Sequence, residues 1–241
     1  MKLSELLSMG REGLTNHGPI VIVALGDSVT HGMFDRDTAD HESVYHNRFR
    51  QMLNEHNGYV PVSVINAGIG GTTAKQSLSR LERDVLSHHP DLVTVCFGLN
   101  DVNYPFDEYV EAMREILTRC RESVENVVLI TPNMLNTTVS PETEDKYMAY
   151  AAVTAEMQNG GKMDRYMDAV RALAKELSVP VCDVYGEWRR RSATEDMTAK
   201  LANHINHPNP EMHEVAAKML FELLIGENRV DGECDDGMVR L

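Results

Sequence analysis

Nowhere in the 241 residues do eighteen apolar side chains run together, so hydropathy gives no membrane-spanning helix. The leading stretch Met1-Lys-Leu-Ser-Glu-Leu-Leu-Ser8 meets acidic and glycine residues before any apolar h-region forms, so a cytoplasmic location is expected. Basic side chains are outnumbered, 23 Lys and Arg against 37 Asp and Glu, for a formal charge of −14. Neutralising phosphates needs the opposite balance, which argues against nucleic-acid partners and stable association with an anionic membrane. Small neutral or cationic substrates are easier to accept. Cysteine is scarce, with four in the chain and no C-x-x-C or zinc-ribbon spacing. Cys96 and Cys182 stand inside apolar runs and read as small core residues, against a disulfide framework. There is no G-x-x-x-x-G-K-[ST], and Gly68-Ile-Gly-Gly71 does not continue as a dinucleotide fingerprint, so no nucleotide cofactor is implied.

What the chain does have is apolar periodicity. With 42% hydrophobic residues it can bury a sizeable core, and a single domain over 1–241 is the economical expectation. Residues 1–18 and the acidic tail 228–241 are expected at its periphery. Five short runs rich in β-branched residues, Ile20–Leu25, Pro61–Asn66, Leu92–Phe97, Asn126–Thr131 and Val179–Val184, read as strands buried on both faces. Helical patterns over Ser43–Asn57, Thr73–Ser87, Asp107–Arg121 and Met163–Leu177 separate them. A last helix is punctuated by Asn209 as cap and Pro210 in its first turn. This alternation predicts an α/β fold with a parallel sheet covered on both faces. The connection Pro132–Lys162 is unusually long and carries its own helical pattern, Glu144–Gln158. Such an excursion either walls a binding cleft or packs on the domain surface.

The first strand breaks at Gly26-Asp27-Ser28, leaving a serine where a parallel strand ends, which is where ligands bind in such sheets. Ser28 is either a nucleophile or a helix cap. A serine hydroxyl needs a base at neutral pH, and imidazole suits that task. His207, before Pro208 and a capped helix, is the candidate. His204, His207 and His213 also raise a metal as an alternative, but their spacing matches no H-E-x-x-H helix and no metal is expected.

Taken together, Gly26-Asp-Ser28, Asn66-Ala-Gly-Ile-Gly-Gly-Thr-Thr-Ala74, Phe97-Gly-Leu-Asn-Asp101 and Asn206-His-Pro-Asn209 resemble the four signature blocks of the SGNH hydrolases, the GDSL lipase/esterase superfamily. The resemblance runs from about Ile20 to Leu224. It implies a three-layer α/β/α, flavodoxin-like fold with a five-stranded parallel sheet in the order 2-1-3-4-5. It also implies Ser28 as nucleophile and His207 as base, with the backbone N–H groups of Ser28 and Gly71 and the side-chain amide of Asn100 as the oxyanion hole. Read structurally, Gly71 serves a tight turn and Asn100 caps a helix. Asp27, Asn66 and Asp101 are expected to brace loops rather than react. The pattern departs from the family at the acid that orients the base, since its usual position, three before the histidine, is His204 here. An alternative alignment puts Asn203 there. Either one of these two or the backbone supports a Ser28–His207 dyad, or a carboxylate such as Asp196 or Glu195 completes a triad. The expected function is a serine esterase that hydrolyses small acyl esters, with O-acetyl groups on carbohydrate preferred and no cofactor. A lysophospholipase, a thioesterase or a catalytically weakened binding protein are the alternatives.

Overall fold

The computed structural model describes residues 1–35 and 38–226, so the expectation for the tail 228–241 falls outside the described residues. Five parallel strands form one sheet: β1 (Ile20–Gly26), β2 (Val62–Gly68), β3 (Leu92–Cys96), β4 (Asn126–Ile130) and β5 (Val181–Cys182). Their spatial order is β2-β1-β3-β4-β5. The central strands β1 and β3 read as continuous apolar runs because both their faces are covered, and β3 is buried throughout. At the edge, β2 departs from the expected pattern, with Ser63 and Asn66 exposed. At the other edge β5 is only two residues long, because Asp183 is taken up as the cap of the next helix and accepts the Gly186 N–H at 3.2 Å.

Helices cover both faces. On one side α1 (Tyr45–His56) packs against the C-terminal helix, and on the other α2 (Phe106–Ser123) packs against a helix after the long excursion. The excursion itself contains α3 (Met148–Asn159); α4 (Lys162–Glu176), α5 (Val184–Arg191) and α6 (Pro210–Ile225) follow. In α1 the buried Tyr45, His46, Phe49 and Leu53 share one face at helical spacing. The start of α6 is the one expected, with Asn209 accepting the Met212 N–H at 3.0 Å and Pro210 in the first turn.

Two local expectations fail for identifiable reasons. Thr73–Ser87 is not one helix but a chain of short α and 3-10 turns. Arg80 is turned inward there, 7% exposed, and its guanidinium donates to the carbonyls of Ala67 at 2.6 Å and Gly26 at 3.2 Å. The N-terminal residues are not all peripheral either: Leu3, Leu6 and Leu7 are in the core. Asn57 and Asn126 tie this segment down by donating to the Leu7 and Met1 carbonyls. No helix among the described residues is long and apolar enough to cross a membrane.

Candidate active site

The carboxyl ends of β1, β2 and β3 converge on one cleft of about 630 Å³, whose lining includes Ser28, Gly70, Gly71, Asn100 and His207. Ser28 opens a single helical turn, Ser28–His31, directly after β1. Asp27 caps that turn, its Oδ1 accepting the Val29 N–H at 3.0 Å. Close packing makes glycine necessary at the ends of both strands. A Cβ on Gly26 would run into the Thr30 hydroxyl, and one on Gly68 into the His31 backbone. Ser28 is 5% exposed, and its Oγ lies 3.0 Å from Nε2 of His207, itself 6% exposed. That distance spans 179 residues of sequence and is within range for proton transfer.

Three donors surround this pair. Ser28 is the first residue of its turn, so its N–H has no acceptor within the helix. Neither that N–H nor the N–H of Gly71 finds an acceptor among the described residues. Gly71 has φ +77°, yet an added Cβ would meet nothing within 4 Å. Backbone conformation, not crowding, is therefore what calls for glycine here. Asn100 directs one amide hydrogen to the Thr72 carbonyl at 3.0 Å, and its second remains for the cleft.

The loops that carry these donors are braced from below. Asp101 Oδ1 accepts the Ala74 N–H at 2.9 Å, joining the end of β3 to the Gly70-Gly71 loop. Asn66 donates to the His31 carbonyl at 3.0 Å and accepts the Gly68 N–H at 2.9 Å. Two braces were not anticipated. Arg80 binds the last carbonyls of β1 and β2, and His31 Nδ1 accepts the Gly70 N–H at 3.3 Å. Arg80 gave no signal because it lies within an apparently amphipathic helical stretch. Burial pushes the Asp27 carboxyl up to about 7 and the Asp101 carboxyl up to about 6.

Asn203 lies beside His207 but serves the backbone. Its Oδ1 accepts the N–H groups of Ile205, Asn206 and His207 at 3.0–3.1 Å, and its amide donates to Asn206 Oδ1. His204, at φ +55°, points its Nε2 at Glu142 Oε2, 3.1 Å away. Asp196 accepts the Thr198 N–H, and Glu195 faces Lys200 and Arg191. His213 does not line the cleft; it is buried, with Nδ1 accepting the Tyr45 N–H at 3.2 Å. Burial pushes its pKa down to about 3. Among the described residues no three His, Cys, Asp or Glu side chains are gathered in a way that could hold a metal ion.

The opposite wall comes from the long excursion, through Glu142, Glu144, Tyr147 and Tyr150. In α3 the buried positions are Ala151, Thr154, Ala155 and Gln158, while Ala152 is exposed. The one run of basic residues, Arg189–Arg191, faces Asp164, Glu187 and Glu195 in ion pairs.

The family model of the GDSL-like lipase/acylhydrolases matches residues 24–215. The chain belongs to that family. An acetylxylan esterase of Geobacillus stearothermophilus is 32% identical over 83 residues, which is 30% of this chain and 38% of that one. The crystal structure of Axe2, an acetylxylan esterase from the same organism, superposes with a TM-score of 0.68 at 21% identity, covering 85% of this chain and 94% of that one. Catalytic mutants of Axe2 in which a serine, an aspartate or a histidine is replaced by alanine share this fold. LAE5, an α/β hydrolase from the metagenome of Lake Arreo, superposes with a TM-score of 0.65 at 24% identity over the same shares.

Proposed function

We propose that this protein is a serine esterase that hydrolyses small acyl esters through an acyl-enzyme on Ser28. The observation that carries the reading is the 3.0 Å contact between Ser28 Oγ and His207 Nε2 in a cleft that also holds three donors. His207 takes the hydroxyl proton as Oγ attacks the acyl carbon. The oxyanion that forms is met by the N–H groups of Ser28 and Gly71 and by Asn100 Nδ2, each donor worth about 2.7–4 kcal/mol in the transition state. His207 then returns the proton to the leaving alcohol, and a water activated by the same imidazole releases the acid.

For the substrate, the acetylxylan esterase relative favours an acetyl group on a carbohydrate alcohol. The far wall suits a hydroxylated alcohol, since Glu142 offers acceptors and Tyr150 a hydroxyl and a ring face. The test is turnover of p-nitrophenyl acetate, butyrate and octanoate beside acetylated xylo-oligosaccharides, with fluorophosphonate labelling of wild type and Ser28→Ala. Acetate-selective turnover that vanishes with labelling in Ser28→Ala is expected. Preference for octanoate would refute the short-acyl assignment, and persistent turnover in Ser28→Ala would refute the nucleophile.

A further inference from the structure

Six consecutive residues after β4, Thr131 to Asn136, are buried although they form neither helix nor strand. Backbone in that situation must find its hydrogen bonds outside regular structure. Leu135 N–H donates to Gln158 Oε1 at 3.0 Å, inside the excursion. Other bonds leave it and cross to the loop that carries His207. Asn136 N–H donates to the Ile205 carbonyl at 2.9 Å, and Asn133 Nδ2 donates to the Asn206 carbonyl at 2.9 Å. The second contact matters most, because the Asn206 carbonyl and the His207 N–H belong to one peptide unit. Asn133 holds its oxygen end and Asn203 Oδ1 holds its N–H end, at 3.0 Å. The His207 carbonyl is fixed in turn by the Ala202 N–H at 2.7 Å.

We propose that Asn133 is a positioning residue for the base: it fixes the peptide on which the His207 ring is mounted, and so sets the distance from Nε2 to Ser28 Oγ. This rests on the reading of His207 as the base. Asn133 is 1% exposed, and its two donated bonds go to the carbonyls of Asn206 and Met134, while its own Oδ1 is buried with no partner among the described residues. A buried amide with an unmet acceptor is costly, and what it contributes here is the donor pair. The excursion from 132 to 162 thereby does two things at once. Its outer part walls the cleft, and its root holds the catalytic imidazole.

The test compares Asn133→Ala with Gln158→Leu, which loosens the same excursion without touching the loop of His207. A misplacement of about 1 Å can cost about 10²-fold in rate. For Asn133→Ala we expect kcat on p-nitrophenyl acetate to fall 10- to 100-fold with KM little changed, as for a loss felt mainly in the transition state. The rate of fluorophosphonate labelling should fall by the same factor. Gln158→Leu should lower Tm while keeping kcat. Wild-type kcat in a folded Asn133→Ala, or an equal loss of kcat in Gln158→Leu, overturns the proposal. If Asn133→Ala does not fold, Asn133→Leu, which fills nearly the same space without a donor, is judged by the same criteria. His207→Ala separates the two levels: activity that survives it refutes the base itself, whereas its loss beside an unaffected Asn133 variant refutes only the positioning role.

Discussion

Replacing Asp27 by asparagine should change how stability depends on pH, by an amount the site itself supplies. The carboxyl is fully buried under the turn that carries Ser28, with Oδ1 on the Val29 N–H and Oδ2 without a partner among the described residues. Burial is the largest influence and raises its pKa from 3.8 to about 7; the Val29 N–H opposes this and the neighbouring Asp101 carboxyl adds to it. The folded protein thus holds this proton more tightly than the unfolded chain does. The resulting stabilisation is fully present below pH 3.8 and is lost as pH rises to about 7. At ~1.4 kcal/mol for each tenfold change in proton affinity, the loss is on the order of 4 kcal/mol. Asparagine keeps the acceptor for Val29 and has nothing to ionise. Urea unfolding of both proteins across the range from about pH 4 to about pH 8 reads the difference directly, because every other titrating group is shared. The variant should gain several kcal/mol on the wild type over that range. Two parallel curves with a constant offset would show that Asp27 ionises freely in the fold and would refute the reasoning.

Three further expectations concern the walls of the site. Asn100→Ala should lower kcat by about 10²–10³ with little change in KM, measured by steady-state kinetics; a fall in Tm with normal kcat would make it a cap instead. Arg80→Met strips hydrogen bonds from two buried carbonyls at the ends of β1 and β2 and should cost about 3 kcal/mol in urea unfolding, with kcat falling more than KM rises. Asn203→Asp keeps the oxygen that receives three backbone N–H groups and should retain turnover, whereas Asn203→Ala should lose both stability and kcat. Equal activity in these two variants would show that the three bonds do not matter.

The parallel core was readable because burial on both faces forces β1 and β3 to be apolar without interruption, a pattern that no surface constraint can disguise. The same logic misled at the edges. β2 and β5 each face a neighbour on one side only, so Ser63 and Asn66 are free to be polar, and Asp183 is free to cap a helix. Arg80 was invisible for a related reason. In one dimension an arginine at helical spacing looks like part of a solvated face, and only the open ends of two strands explain a guanidinium turned inward.

Within the candidate site, what was legible is what local backbone geometry demands. A glycine that must admit the Thr30 hydroxyl, a serine at a strand end and an asparagine that caps before a proline all leave marks within a few residues. The surroundings of His207 leave none, because the contacts there join segments far apart in sequence. Reading Asn203 and His204 by their nearness to His207 treats the ring as the thing to be held. In the fold Asn203 holds the peptide and His204 reaches across to Glu142, while the matching grip on that peptide comes from Asn133, 73 residues before the carbonyl it binds. An orienting carboxylate acts on an imidazole through its tautomer and charge, and an amide network acts on it through the position of its Cα. These are different physical devices with different signatures. The first moves the pH dependence of kcat, and the second moves kcat with the pH dependence unchanged, so the pH profile of Asn133→Ala distinguishes them: a uniform fall across pH marks a positional role, and a shifted ionisation marks an electrostatic one.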